Sequence, residues 1–211
     1  RPTIRIGAVF NTTGWMAAYD GPPRRAALLA IEDVNSSGGV LGRELTLMER
    51  DGETDPATVG VAAGLLIEEG AQLLITPCDF EIGGPASLAA QAAGLVGIST
   101  CATSPLYGSE ELGDKQFTMG MWNNTMGAAM AEYGRRELGW ETAWIVADTT
   151  IRYSRTLATY FAEHFISVGG EVLGEDTYGQ GQGDFSPQIQ RIGALDREPD
   201  SLEALLLLVL V

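Results

Sequence analysis

Short apolar segments alternate with longer amphipathic segments along most of the chain. Residues 3–10 have the alternation of a strand, with Ile4, Ile6 and Ala8 on one face. A polar loop follows, and apolar residues then recur at helical spacing until the two glycines at 38–39 end the helix. The chain therefore begins with a strand, a loop and a helix.

Polar residues and prolines mark where the helices are expected to begin. Asp20 is predicted to cap the first helix, with the prolines at 22–23 in its first turn. Asp55 and Pro56 give the same signal for the second helix. A third helix of small residues is predicted from Pro85 to Ala93, after a loop that contains Phe80.

The same alternation continues to the end of the chain. Further strands are predicted over 44–50, 73–76, 95–99, 116–119, 142–147, 171–177 and 202–211, and further helices over 124–138, 154–168 and after Asp184. Short apolar strands that alternate with amphipathic helices are typical of parallel sheets covered on both faces, which predicts an α/β fold.

This pattern starts twice, from residue 3 and again near residue 120. It predicts two Rossmann-like lobes, an N-terminal lobe over 1–120 and a second lobe over 121–211. Because no helix follows the last strand, we expect the second lobe to be truncated. A signal peptide is expected to have been removed or to lie outside this sequence.

Charge and hydropathy exclude two classes of partner. The chain has 13 lysines and arginines against 28 aspartates and glutamates, for a net charge of −15. Without a basic stripe, no nucleic-acid partner is predicted. The longest apolar run, 204–211, is much shorter than the roughly 20 residues that a membrane-spanning helix needs, so direct membrane insertion is not expected.

Catalytic, metal and cofactor chemistry lack their usual residues. His164 is the only histidine, and Cys78 and Cys101 are too few for a four-ligand zinc site. The glycine-rich segment 179–183 lacks the spacing of a dinucleotide-binding loop. Each cysteine follows a strand-like run, so the two could form a disulfide if geometry permits. Two free, partly buried thiols are nevertheless favoured.

Several motifs resemble one family. They are Ile4–Phe10 with Thr13 and Gly14, the helix and turn over Gly21–Gly42, Asp51 with Asp55 and Pro56, Pro85 and Ala86, Ser99, Ala102 and Thr103 with Pro105, and Asp184–Ser186. Together they resemble type I periplasmic binding proteins of ABC importers, in the Leu/Ile/Val-binding and amide- or urea-binding branch.

The resemblance implies a non-catalytic periplasmic protein whose two lobes hinge around a cleft. Its partners would be a small polar metabolite, such as an amino acid, an amide or an aromatic carboxylate, and the membrane permease of an importer. Family members have longer chains that return to the first lobe. Two alternatives stay open: the ligand-sensing domain of a regulator or receptor, and an α/β enzyme of flavodoxin-like topology.

Loops after the strands are the predicted ligand site in such sheets. The resemblance implies an aromatic contact from Tyr19, for which a surface position is the alternative. Phe80 stands near a position where amino-acid-binding relatives have serine, which predicts a flatter or aromatic ligand unless the ring belongs to the core. Asp79 and Glu81 would either bind a ligand ammonium group or be solvated.

The segment after the fourth strand carries the main predicted contacts, namely Thr100, Cys101, Ala102 and Thr103, whose alternative is ordinary turn chemistry. In the second lobe, Trp122 lies near the proposed hinge and Tyr153 precedes a helix at a position that resembles a ligand-closing tyrosine. Ordinary packing is the alternative for both rings.

Overall fold

Five short parallel strands organise the first part of the chain in the computed structural model, which describes residues 3–108, 110–196 and 199. The elements are β1 (Ile4–Phe10), α1 (Ala17–Ser36), β2 (Leu45–Asp51), α2 (Pro56–Glu68), β3 (Leu73–Thr76), α3 (Phe80–Ala92), β4 (Val96–Ser99) and β5 (Gln116–Thr118). The strands lie in the order β2-β1-β3-β4-β5, and every neighbouring pair is parallel.

A second unit begins at Trp122, and the first ends at Met121. Its elements are α4 (Asn123–Arg136), β6 (Thr142–Asp148), α5 (Arg152–Ser167), β7 (Glu171–Tyr178) and α6 (Ser186–Gly193). β6 and β7 pair in parallel. The strand predicted over 202–211 lies outside the described residues.

The predicted α/β class with parallel sheets is confirmed, but two helix starts were predicted too late. α1 begins at Ala17 and not at Asp20, so its two prolines lie inside the helix. α3 begins at Phe80, several residues before Pro85. The predicted cap of α2 is correct, because the Asp55 carboxylate accepts a hydrogen bond from the Thr58 amide at 2.7 Å.

Apolar side chains from β1, β3 and α2 form the core of the first unit. Val9, Val59, Leu66 and Leu74 are all essentially inaccessible to solvent. Gly7 lies among them, and a Cβ atom there would be only 2.5 Å from the Leu74 side chain. The close packing of helix and sheet therefore favours glycine at this position of β1.

The second unit has its own core, formed by one face of α5 against β6. Phe161 and Phe165 are buried on that face and stack with ring centroids 5.3 Å apart. They pack with Ile145 of β6 and Ala131 of α4. Ile166, the next residue of α5, is 58% exposed on the other face.

A disulfide joins the ends of two neighbouring strands of the first sheet. Thr76 pairs with Ser99 at the end of the β3–β4 ladder, and each cysteine follows two residues later. Cys78 and Cys101 are bonded, with Cα atoms 4.7 Å apart. The prediction of two free thiols was therefore wrong, because the parallel register brings the two positions together.

We expect Phe165→Ala to lower the free energy of unfolding by about 3–5 kcal/mol, because it leaves a cavity in the core of the second unit. Ile166→Ala, on the exposed face of the same helix, should change it by about 0.5 kcal/mol or less. Urea denaturation followed by circular dichroism measures both. Equal losses in the two variants would contradict this assignment of the core face.

Removal of the crosslink in the double variant Cys78→Ala/Cys101→Ala should lower the unfolding free energy by about 3 kcal/mol. The bond closes a loop with a sequence separation of 23 residues, and its absence enlarges the unfolded ensemble. Denaturant titrations with and without reductant make the comparison. Reductant should destabilise the unmodified protein by a similar amount and leave the variant unchanged, and an insensitive unmodified protein would refute the expectation.

Candidate functional site

Three adjacent strands of the first sheet end at one edge, where the loops that follow them lie side by side. β1 is hydrogen-bonded to β3, and β3 to β4, all in the same direction. The loops after their carboxyl ends are residues 11–16, 77–79 and 100–107. Open parallel sheets bind ligands beyond this edge, so this group of loops is the candidate site.

A buried carboxylate connects two of these loops to the first helix. Oδ2 of Asp20 accepts hydrogen bonds from the backbone amide of Asn11 at 2.9 Å and from its side-chain amide at 2.8 Å. Oδ1 accepts the backbone N–H of Cys78 at 2.8 Å. Asp20 is fully buried, and it holds the ends of β1 and β3 rather than the start of α1 as the sequence predicted.

Opposing influences act on the proton affinity of this carboxylate. Burial raises the pKa of Asp20, while hydrogen bonds from Cys78 and Asn11 and the nearby Thr100 hydroxyl counteract part of that rise. The Thr100 Oγ1 atom is itself buried, and it does not complete a hydrogen bond with good geometry. This hydroxyl is therefore a buried polar group of the site that lies next to the Asp20 carboxylate.

Asp51, at the end of β2, holds the loop after β1 from the other side. Its carboxylate accepts hydrogen bonds from the Thr12 amide, the Thr13 hydroxyl and the Glu53 amide, all at 2.8–2.9 Å. Partial burial alone would raise the pKa of Asp51, but the bonds from Thr12, Glu53 and Thr13 outweigh it and lower the pKa to about 2. The first loop is thus anchored by an ionised side chain.

A small polar cavity lies beside this anchor, next to the edge strand β2. Its volume is about 160 Å³, and the residues that line it are Phe10, Thr12, Arg24, Glu49, Arg50 and Asp51. Arg24 is engaged there in an ion pair with Glu49 at 2.7 Å. The predicted ligand contacts do not line this cavity, so we do not assign it to the candidate site.

Asp79 caps the third helix, which moves Phe80 out of the predicted loop and into the first helical turn. Oδ1 of Asp79 accepts the backbone N–H of Glu81 at 2.8 Å and that of Ile82 at 3.0 Å. Burial nevertheless raises the pKa of Asp79, against the effect of these bonds. The ring of Phe80 is half-buried and contacts the Tyr107 ring edge to face, at a centroid distance of 6.4 Å.

The segment after β4 is partly buried, and hydrogen bonds hold its backbone to neighbouring residues. Ala102 is fully buried, its amide donates to the Ser99 hydroxyl at 3.1 Å and its carbonyl accepts from the Thr118 hydroxyl at 2.6 Å. Thr103 and Cys101 are half-buried. Ala102 therefore has no solvent-accessible surface for a direct ligand contact in this structure.

A hydrogen-bonded hydroxyl cluster beneath this segment was not predicted from the sequence. The hydroxyl of Tyr107 lies 3.0 Å from that of Thr76 and also bonds Ser87. Tyr107 is only 2% exposed and packs with Ala102. The signal that was available is Tyr107 in a loop otherwise rich in small residues, but its partners lie in β3 and α3.

Two aromatic rings lie on the first turn of α1 and just before it. Tyr19 is half-buried against the core cluster that also contacts Cys101. Its ring meets that of Trp15 edge to face at 6.3 Å, and Trp15 is 47% exposed. The structure therefore brings Tyr19 and Cys101 to one cluster, and Phe80 and Ala102 to another, at the same sheet edge.

The remaining predicted residues belong to the second unit. Trp122 directly precedes α4 and is 46% exposed. Tyr153 lies in the first turn of α5, with its hydroxyl 4.0 Å from the sulfur of Met126. Asp148, which the sequence did not single out, is buried at the end of β6 and accepts the Thr150 amide at 2.7 Å.

Neither a metal site nor a membrane span is found among the described residues. Within residues 3–108, 110–196 and 199, no three His, Cys, Asp or Glu side chains are arranged to hold a metal ion. None of the helices described there is long and apolar enough to span a membrane.

Comparison with known proteins gives relatives that are longer than this chain. The Leu/Ile/Val-binding protein BraC3 of Rhizobium johnstonii is 25% identical over 189 residues, which are 90% of this chain and 51% of that protein. A leucine-, isoleucine-, valine-, threonine- and alanine-binding protein of Pseudomonas aeruginosa is also 25% identical, over 90% and 50%. The chain spans about half the length of these curated relatives.

Solved structures show the same fold. The substrate-binding protein LivJ of a Streptococcus pneumoniae branched-chain amino acid transporter, in complex with isoleucine, superimposes with a TM-score of 0.81 at 24% identity, covering 92% of this chain and 55% of that one. The profile of the periplasmic binding protein family matches residues 3–202. This chain belongs to the periplasmic binding protein family.

Proposed function

We propose that the chain forms part of the extracytoplasmic solute-binding component of an ABC importer, which binds a small polar metabolite. One observation carries the proposal: in a chain of this family, hydrogen bonds and a disulfide hold the strand-end loops of the first unit together. The proposed ligand contacts are Tyr19, Phe80 and residues 100–103 in the first unit, and Trp122 and Tyr153 in the second.

Rigidity of the loops supports a binding role. Asp20 holds the loops after β1 and β3, the disulfide holds those after β3 and β4, and Asp51 secures the outer side of the first loop. A surface ordered before binding spares the ligand the entropic cost of ordering it. Half-buried rings such as Tyr19 and Phe80 beside a few polar side chains match the usual composition of small-molecule sites.

The relatives indicate the range of ligands to consider. Their names specify branched-chain amino acids, and LivJ was solved with isoleucine. For this chain we propose the wider class of amino acids, amides and aromatic carboxylates, because Phe80 brings a ring to the first turn of α3. Delivery to a membrane permease and a periplasmic location follow from the proposed role.

The proposal is tested with the full-length gene product, in a thermal-shift screen followed by calorimetric titration. The panel contains aliphatic and aromatic amino acids, aromatic carboxylates and small amides including urea. A ligand that binds only the folded state must raise the melting temperature. A cooperatively folding protein that responds to no member of the panel would contradict the proposal.

For a ligand found in this way, Phe80→Ala and Tyr153→Ala should each weaken binding by about tenfold or more, because each removes one of the proposed aromatic contacts. Tyr133→Ala is the matched control, since Tyr133 is a tyrosine of the second unit that is 53% exposed on α4. It should leave the affinity unchanged. Unaltered affinity in both site variants would exclude the proposed contacts.

A further inference from the structure

The backbone amides in the first turn of α3 already have a hydrogen-bond acceptor, the carboxylate of Asp79. Asp79 accepts the backbone N–H groups of Glu81 and Ile82, and it does so with a φ of 85°, a conformation that non-glycine residues rarely adopt. A ligand carboxylate at this helix end would need these same donors. It would meet a capped helix and a like charge instead.

The neighbouring loops strengthen the negative charge of this edge. Segments 11–20, 77–82 and 99–107 contain the carboxylates of Asp20, Asp79 and Glu81 and no lysine or arginine. The next basic residues along α1 are Arg24 and Arg25, and Arg24 is bound to Glu49. A charged group that enters between these loops is therefore favoured if it is positive and disfavoured if it is negative.

Aromatic rings at the same edge of the sheet also favour a positively charged ligand group. Trp15 and Tyr19 form one edge-to-face pair, and Phe80 and Tyr107 form another. Trp15 is 47% exposed, and Tyr19 and Phe80 are half-buried. Aromatic faces attract ammonium and amidinium groups and do not attract carboxylates.

We infer that Asp79 sets the charge class of the ligand, so that the site takes small amines or amidines without a free carboxylate and rejects their carboxylate counterparts. This inference rests on the proposed function, because it concerns the same ligand site, and it narrows the proposed ligands to those without a free carboxylate. Asp79 acts as a specificity-determining residue: it fills the amides that an anion would use and adds a negative charge in their place.

Calorimetric titration of the full-length protein with matched pairs tests the inference. Leucinamide is compared with leucine, and benzamidine with benzoate, since each pair keeps the apolar part of the ligand and changes the charged group. In every pair that binds, we expect the compound without a carboxylate to bind about tenfold or more tightly, because one charge-assisted contact contributes about that much.

The variant Asp79→Gly frees the two amides and suits the positive φ, so it should fold with only a small loss of stability. In this variant, the ratio of affinities between the compound without a carboxylate and its carboxylate counterpart should fall about tenfold. Asp55→Gly is the matched control, because it removes an aspartate cap of the same kind from the neighbouring helix α2. The control should keep the preference of the unmodified protein.

Different outcomes would contradict the charge preference alone or the binding function as well. Tighter binding of leucine or benzoate than of its partner by the unmodified protein would overturn the inference and leave the binding function in place. An equal reduction of the preference in Asp79→Gly and Asp55→Gly would remove Asp79 as the determinant. Binding of none of the four compounds, nor of any other member of the panel, would contradict the binding function and the inference together.

Discussion

The buried carboxylate of Asp20 is the interaction on which the arrangement of the strand-end loops depends. It accepts three hydrogen bonds from two separate loops while it belongs to a helix. A carboxylate without partners would be very unfavourable in this position, and the amides of Asn11 and Cys78 would also lose their acceptor. The three elements therefore reach low energy only in one mutual arrangement, which gives the edge of the sheet a defined shape.

The other contacts at this edge extend the same constraint. The disulfide continues it from β3 to β4, and the bond between the Thr118 hydroxyl and the Ala102 carbonyl continues it to β5. Gly120 packs against the same carbonyl group, because a Cβ atom at position 120 would come within 2.7 Å of the Ala102 carbonyl oxygen. The chain thus leaves the first unit through a segment that packs directly on the candidate site.

Periodicity predicted most of the fold, because the segment types of an α/β protein are encoded locally. The bounds of β3 and the cap of α2 at Asp55 needed no information beyond neighbouring residues. The partners of Asp20 lie 9 and 58 positions away, and the disulfide depends on the register of two strands. Local spacing contains neither relation, which is why the sequence misassigned Asp20 as a cap and favoured free thiols.

The start of α3 was misplaced for a related reason. Pro85 is a common first-turn residue and gave a strong local signal, whereas the actual cap, Asp79, adopts a left-handed backbone conformation that is unfavourable for aspartate. This cap accepts the Glu81 and Ile82 amides, and the next residue, Phe80, contacts the distant Tyr107, a relation that local spacing does not contain. The helix therefore gains a turn at the position where the candidate site begins.

The crosslink between Cys78 and Cys101 also bears on the order of maturation. In a reducing compartment the two thiols cannot stay joined, and the newly made chain would lack this restraint on its unfolded ensemble. If the protein is exported as proposed, it would cross the membrane before the disulfide between the loops after β3 and β4 forms. Oxidation on the far side would then complete the loops, so that the finished surface arises only in the compartment where solute is available.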